Sequence, residues 1–295
     1  MKAAFVAVIG RPSVGKSTLI NHICGEKVAI VSAVPQTTRN AIRGIVNRDE
    51  GQLVFVDTPG RHDSQKKFNK KLMEVSDRAL DESDMALYVL DASRPPGVEE
   101  AEVARLLAPL AGKVIAAINK IDSPAADVSL ARDFLAKNLP GLPAEHCFEI
   151  SAKNNVGIDP LLSALYEIAP EGTPFYGNEY YTDQEVDFRI AEIIREQAIN
   201  RLRQELPHAL YVEVADTEFT DTEKTKLWVR AFIIVERESQ KGMVVGKGGA
   251  MIKDIRLAVL KEMKRVFDWK IDLDLRVKTG KDWRHSDAAL RKIIG

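Results

Sequence analysis

Two patterns of apolar and polar positions divide the chain. Up to about residue 170, short continuous apolar runs alternate with segments whose apolar residues recur every three or four positions. The runs predict strands near 4–9, 42–48, 52–57, 85–91, 113–118 and 146–150. The helical spacing predicts helices near 16–24, 67–81, 99–109, 127–138 and 159–168. Strands that are apolar throughout are covered on both faces, as in a parallel sheet. The expected fold class is therefore α/β, a doubly wound, mostly parallel sheet, with one antiparallel hairpin at 42–57 turning through Arg48-Asp49-Glu50-Gly51.

The pattern breaks at Pro170-Glu171-Gly172-Thr173-Pro174. Two prolines and a glycine in five residues end a helix and suit a connection. We therefore expect a first domain over 1–170, a linker over 171–184 and a second, α+β domain over 185–295. The second begins with a long helical pattern at 184–204, with Phe188, Ala191, Ile194, Ala198, Ile199 and Leu202 on one face. Tyr211 to Ala215 and Leu227 to Glu238 read as strands. Met243 to Ile252 forms an apolar segment holding a glycine-rich loop, followed by a helix to about Phe267. Lys270 to Lys278 alternates as a final strand should.

Composition changes this picture little, but charge does. A chain of 295 residues with 45% apolar content can fill two cores. The net charge of −1 conceals an asymmetry: residues 241–295 hold 14 basic and 7 acidic residues, which leaves −8 on the rest. A basic end facing a polyanion is expected. Cys24 and Cys147 have no metal-binding spacing and sit among apolar residues, so buried free thiols in a reducing cytosol are expected. No stretch approaches 18 apolar residues, and the chain enters a strand at once, unlike a signal peptide.

The chemistry lies where the predicted strands end. Gly10-Arg11-Pro12-Ser13-Val14-Gly15-Lys16-Ser17 fits the phosphate-loop pattern between a strand and a helix. Its glycines let backbone N–H groups wrap phosphate oxygens, and the helix N-terminus adds positive potential. Lys16 is expected to reach the β- and γ-phosphates. The Ser17 hydroxyl is expected on Mg²⁺, with Thr18 beside it. Asp57-Thr58-Pro59-Gly60 follows a strand: Asp57 would hold Mg²⁺ through water, and the Gly60 N–H would meet a γ-phosphate. In Pro35-Gln36-Thr37-Thr38-Arg39, Thr38 rather than Thr37 is expected to complete the metal shell while the γ-phosphate is bound.

Base selection falls to Asn119-Lys120-Ile121-Asp122. A carboxylate accepts from both the guanine N1–H and its 2-amino group, a donor pair that adenine lacks. The Lys120 stem can lie over the base, Asn119 can tie loops together, and Ser151-Ala152-Lys153 supplies a third loop at the same sheet edge. In the second half, Gly246-Lys247-Gly248-Gly249 fits a G-x-x-G loop that lets a nucleic-acid backbone approach a helix N-terminus. Lys253 and Arg256 on the following helix, with Lys241 and Lys264, are expected to meet phosphates.

The first set of motifs resembles a Ras-like GTPase with a P-loop G domain; the second resembles a KH domain. In this order they resemble the Era family of GTPases. Pro35 to Arg39, Glu205-Leu206-Pro207, and Trp283-Arg284 with Arg291 add to that likeness. The resemblance implies GTP/GDP and Mg²⁺ as ligands, and in-line attack of water on the γ-phosphate. It also implies binding to the 3′ end of small-subunit ribosomal RNA during late assembly of the small ribosomal subunit. It further implies a cytoplasmic location with peripheral contact at the inner face of the membrane. Relatives carry asparagine, which helps hold a potassium ion, where this chain has Ser13, so that ion is expected to be held poorly here. No general base is visible, and Arg61, His62 and Asp63 have no assigned role. The alternative reading is a nucleotide-gated RNA-binding module, or a membrane-linked cell-cycle regulator, in which hydrolysis is only a slow timer.

Overall fold

The computed structural model describes the chain except residues 33, 36, 61–66, 204, 282, 287–289, 291–292 and 295. Gln36, Arg61, His62, Asp63 and Arg291 thus lie outside the described residues. By internal contacts the chain forms two units. One holds Met1–Ala29 and Thr38–Asp183; the other holds Ile30–Thr37 and Gln184–Ile293.

Six strands build the sheet of the first unit: β1 (Lys2–Ile9), β2 (Ile42–Arg48), β3 (Gly51–Asp57), β4 (Met85–Asp91), β5 (Val114–Asn119) and β6 (Cys147–Glu149). Their order is β2-β3-β1-β4-β5-β6. The hairpin pair β2 and β3 is antiparallel, and every other pairing is parallel. The helices are α1 (Lys16–Cys24), α2 (Lys67–Asp81), α3 (Val98–Leu107), α4 (Val128–Asn138) and α5 (Ile158–Ile168). Val103, Leu107, Ala131 and Leu135 of α3 and α4 pack on Ile9, Tyr88 and Ile118 of the sheet. Val8, Leu87 and Ile115, which alternate with these, are buried as well, so both faces are covered. Because β1, β3, β5 and β6 run the same way, the loops that follow them meet at one edge.

An open edge strand invites pairing with other chains. Residues 170–183 blunt the β2 edge. The Ile45 N–H donates to the Tyr181 carbonyl at 2.9 Å, and the Thr182 hydroxyl to the Arg43 carbonyl at 2.8 Å. Gln52 of β3 is fully buried and fastens the same stretch. Its amide oxygen accepts from Phe175 and Tyr176 N–H at 2.8 and 3.0 Å, and its amide nitrogen donates to the Tyr176 carbonyl at 2.9 Å. The stretch expected as a linker therefore lies on the first unit as a strap. Gln52→Ala would strand those backbone groups, and we expect it to cost about 2–4 kcal/mol. In a urea titration the first unfolding transition should shift to lower denaturant.

The second unit contains α6 (Val186–Ile199), α7 (Leu206–Ala209), β7 (Leu210–Phe219), β8 (Lys226–Val235), α8 (Glu238–Val245), α9 (Ala250–Val266) and β9 (Lys270–Thr279). The sheet order is β7-β8-β9, the first pair antiparallel and the second parallel. Alternate residues of β8 (Leu227, Val229, Ala231, Ile233, Val235) pack against Ile190 and Ile194 of α6 and Ile255, Val259 and Met263 of α9. Two expectations need correction. The strand expected to reach Glu238 stops at Val235, and the chain turns into α8, which no spacing announced. Only Val244 of α8 is buried, so it has no apolar stripe. Its start is fixed instead by the Gln240 side chain, which accepts from the Glu236 and Arg237 N–H groups at 3.0 Å each. The helix expected to run to 204 ends at Ile199.

Candidate functional site

The phosphate loop leaves β1 and enters α1 with its lysine folded inward. Lys16 is buried, and its Nζ donates to the Gly10 and Arg11 carbonyls at 2.9 and 3.0 Å. Burial is the main reason its ammonium is lowered to about 8; Asp57 opposes that shift and Arg11 adds to it. Val14 and Gly15 complete the turn, and Thr18 lies half-buried in the first turn of α1.

Ser17, Thr38 and Asp57 converge. The Ser17 hydroxyl donates to Asp57 Oδ2 at 2.6 Å, the Thr38 hydroxyl to the same oxygen at 3.3 Å, and the two hydroxyls lie 3.1 Å apart. Asp57 is fully buried, and its Oδ1 has no hydrogen-bond partner among the described residues. Burial pushes its carboxyl above the usual range, with Lys16 and the two hydroxyls opposing. A buried carboxylate with an orphan oxygen beside two hydroxyls suits a hard divalent cation, so Mg²⁺ fits these residues. Thr37 turns elsewhere, its hydroxyl donating to the Val34 carbonyl at 2.6 Å. Gly60 passes so close to the phosphate loop that a Cβ there would meet Pro12 backbone atoms at 2.5 Å.

The base loops are tied to the phosphate loop by side chains. Asn119 Nδ2 donates to the Val14 carbonyl at 2.8 Å, and its Oδ1 accepts from Ala152 N–H at 2.9 Å. Ser151 donates to Asp122 Oδ1 at 2.6 Å and accepts from Asn154 N–H at 3.1 Å. Asp122 and Lys153 are exposed at the mouth of this cluster. Lys120 Nζ donates to the Ser13 carbonyl at 2.8 Å. Ser13 is exposed and takes a left-handed conformation at φ 63°.

In the second unit, Gly246 to Gly249 link α8 to α9. Gly248 and Gly249 have φ of 60° and 79°, and a Cβ on either would meet open space. Among the described residues no side chain caps the first turn of α9, so its N–H groups can receive an anion. Lys247 and Lys253 are exposed beside this loop. Arg256 is occupied otherwise: its Nε donates to the Leu273 carbonyl at 2.7 Å and its Nη2 faces Asp272 at 3.4 Å, fastening α9 to β9. Lys241 pairs with Glu238 at 3.0 Å.

Sequence reasoning assigned no role to several charged residues that the structure buries, among them Arg11, Asp91 and Glu100 in the first unit, and Arg195 and Glu196 on α6 in the second. Arg11 occupies a variable position of its motif, and the others look like ordinary solvated charges.

Comparison with known proteins agrees with this geometry. A family described as 50S ribosome-binding GTPase matches residues 5–120, and the KH domain family matches 205–284. GTPase Era of Treponema denticola is 51% identical over 293 residues, which cover 99% of each chain. The chain belongs to the Era family of GTPases. GTPase Era of Borreliella burgdorferi is 42% identical over the whole of both chains. Two solved structures of Era proteins superpose on the full length. An Aquifex aeolicus Era variant bound to GDP·AlF4⁻ has a TM-score of 0.93 at 31% identity, covering 99% of each chain. An Era complex with MgGDPNP and nucleotides 1506–1542 of 16S ribosomal RNA also has 0.93, at 32% identity, covering 99% and 98%. Among the described residues no helix is long and apolar enough to cross a membrane.

Proposed function

We propose that the protein is a Mg²⁺-dependent GTP-hydrolysing switch. In this reading it binds the 3′ end of small-subunit ribosomal RNA through its KH unit and assists late assembly of the small ribosomal subunit. The observation that carries it is the pairing, in one chain, of a preformed triphosphate and guanine site with an open glycine loop at an uncapped helix start. The full-length likeness to an Era protein holding 16S nucleotides supports the RNA partner. It outweighs the partial match, over residues 5–120, to a family described by the large subunit.

The chain's own groups suit in-line attack of water on the γ-phosphate. Lys16 and the phosphate-loop amides would offset charge that develops on the transferred group, and Gly60, whose backbone runs against the phosphate loop at Pro12, would offer its N–H to that group. Ser17 and Thr38 would hold Mg²⁺ by their hydroxyls, and Asp57 would hold it through water by its carboxylate. When bound, the ion would neutralise charge on the β- and γ-phosphate oxygens. We place the protein in the cytoplasm. Contact with a membrane would be peripheral, since no described helix can span one.

The switch segment supports coupling of hydrolysis to RNA. Residues Ile30–Thr37 group with the second unit, whereas Thr38 belongs to the first. Within the second unit, Val31 N–H donates to Glu196 Oε1 at 2.8 Å and Arg195 Nη2 to the Thr37 carbonyl at 2.7 Å. Both α6 side chains are buried. A metal-bound Thr38 would thus constrain a segment that the RNA-binding unit holds, and a ligand biases only states that it distinguishes.

Binding of a 3′-end RNA fragment should therefore differ at least about fivefold between the MgGDPNP and GDP forms. Arg195→Ala should erase most of that difference while GDP affinity changes little. Fluorescence titration of labelled RNA in both nucleotide states provides the test. Equal RNA affinities for the wild-type protein would remove the coupling, and no RNA binding would remove the partner. Large stimulation of single-turnover hydrolysis by RNA would favour the switch over a slow timer.

A further inference from the structure

We propose that Asp91 is a positioning residue that ties guanine recognition to the triphosphate grip. The proposal rests on reading Asn119 to Asp122 as the guanine loop. Asp91 ends β4, and its Oδ2 accepts from two cations at once: Lys120 Nζ at 2.7 Å and Arg11 Nη2 at 3.0 Å. Its Oδ1 accepts from Ser93 N–H at 2.9 Å and Ser93 Oγ at 2.5 Å. Arg11 also pairs through Nε with Glu100 of α3, whose other oxygen accepts from Gly97 N–H at 2.8 Å. Arg11, Asp91 and Glu100 are each at least 94% buried.

Each arm of this cluster ends on a functional loop. Arg11 supplies one of the two carbonyls that receive Lys16 Nζ, and its Nη1 donates to the Pro12 carbonyl at 3.1 Å. Lys120 sits at φ 67°, a left-handed conformation that side chains other than glycine avoid. Its Nζ bonds to Asp91 and Ser13 hold that strained residue in place, with its stem across the base position. One buried carboxylate therefore fixes the lysine over the base and the arginine under the phosphate lysine.

A stabilising role alone is a poor account of this cluster. Burying ion pairs costs desolvation that their attraction often fails to recover, and apolar residues would fill the same space at no loss. What the ionic cluster adds is direction: two cations from two loops aimed at one oxygen. Such preorganisation lowers the ordering cost of binding. The effect should fall mainly on the nucleotide dissociation rate, because a loosened platform releases its ligand sooner.

The test is a double-mutant cycle on the full-length protein, read by the dissociation rate and affinity of fluorescently labelled GDP. Asp91→Asn keeps the shape and removes the charge. Alone it should weaken GDP binding by about tenfold, mostly through faster release. In a Lys120→Ala background the same change should cost about threefold or less, since one arm is already gone. Equal losses in both backgrounds, or a change under twofold in the wild type, would overturn the proposal. A purely structural Asp91 would lower the melting temperature without that dependence on Lys120. If Asp91→Asn fails to fold, Asp91→Glu keeps the charge on an arm one methylene longer and goes through the same cycle; additivity there overturns the proposal equally. Failure of the wild-type chain to bind GDP would instead remove the site itself, a distinguishable result.

Discussion

Lys16→Ala should lower single-turnover GTP hydrolysis by about 10²–10³-fold, the usual cost of deleting one preorganised charge stabiliser. The lysine is held ready rather than recruited. Its Nζ rests on two phosphate-loop carbonyls, in a buried site where its ammonium is already disfavoured. A triphosphate would satisfy that charge better than the carbonyls do. The pH dependence follows with a definite sign. In the empty site the ammonium titrates at about 8, and bound phosphate restores the charged form. Nucleotide affinity should be flat below about pH 7 and fall as pH rises through 8, by up to about tenfold per unit, with one proton taken up on binding. Calorimetry in buffers of different ionisation enthalpy reads that proton directly. The linkage to folding runs the other way. The folded-state value lies below the ordinary 10.5, so the unfolded chain binds more protons between those limits. This group's contribution to the stability of the nucleotide-free protein therefore rises from pH 8 to 10.5. Lys16→Ala should abolish both dependences. A variant that hydrolyses GTP within threefold of the wild type would refute the assigned role of the lysine.

Local pattern determined how much could be read in advance. The central strands of the first unit, β1, β4 and β5, were legible because each is apolar along nearly its whole length, and the residues that follow β1, β3 and β5 are constrained by phosphate and guanine chemistry. α8 was not legible: only Val244 is buried, and Gly242 lies inside it, so neither periodicity nor propensity marks a helix. The strap at 170–183 was read as a connection because proline and glycine announce a break. They do not announce that Gln52, over 120 residues earlier, will hold the broken segment. Arg11, Asp91 and Glu100 are separated by up to 89 positions, and a charged residue carries no mark of the partner that will bury it. Arg195 is similar. It sits on a helix whose apolar stripe was evident, but its buried position follows from the segment 30–37, which only the folded chain brings to it.

Asp122→Asn should reverse base preference, and here the expected effect is larger still. Asp122 is held by Ser151 at one oxygen, and Asn119 anchors both flanking loops, so the acceptor pair is fixed in direction. Guanine presents two donors, N1–H and the 2-amino group. An amide offers one acceptor and one donor, so the variant sets an N–H against a guanine donor and leaves both unpaired. Sites built around such hydrogen bonds reject a mismatched partner by about 10⁴-fold. Xanthine carries an oxygen in place of the 2-amino group and accepts where guanine donates. The variant should therefore bind and hydrolyse xanthosine triphosphate in preference to GTP, while Lys16 and the metal residues, untouched, keep the chemical step near its original rate. Competition between the two nucleotides in a single-turnover assay gives the ratio. A variant that still prefers GTP would mean that the base is read elsewhere, from the Lys120 platform or the backbone of Ser151 to Lys153. A variant that binds neither would mean that the Ser151 bond to Asp122 shapes the loop before it reads the base.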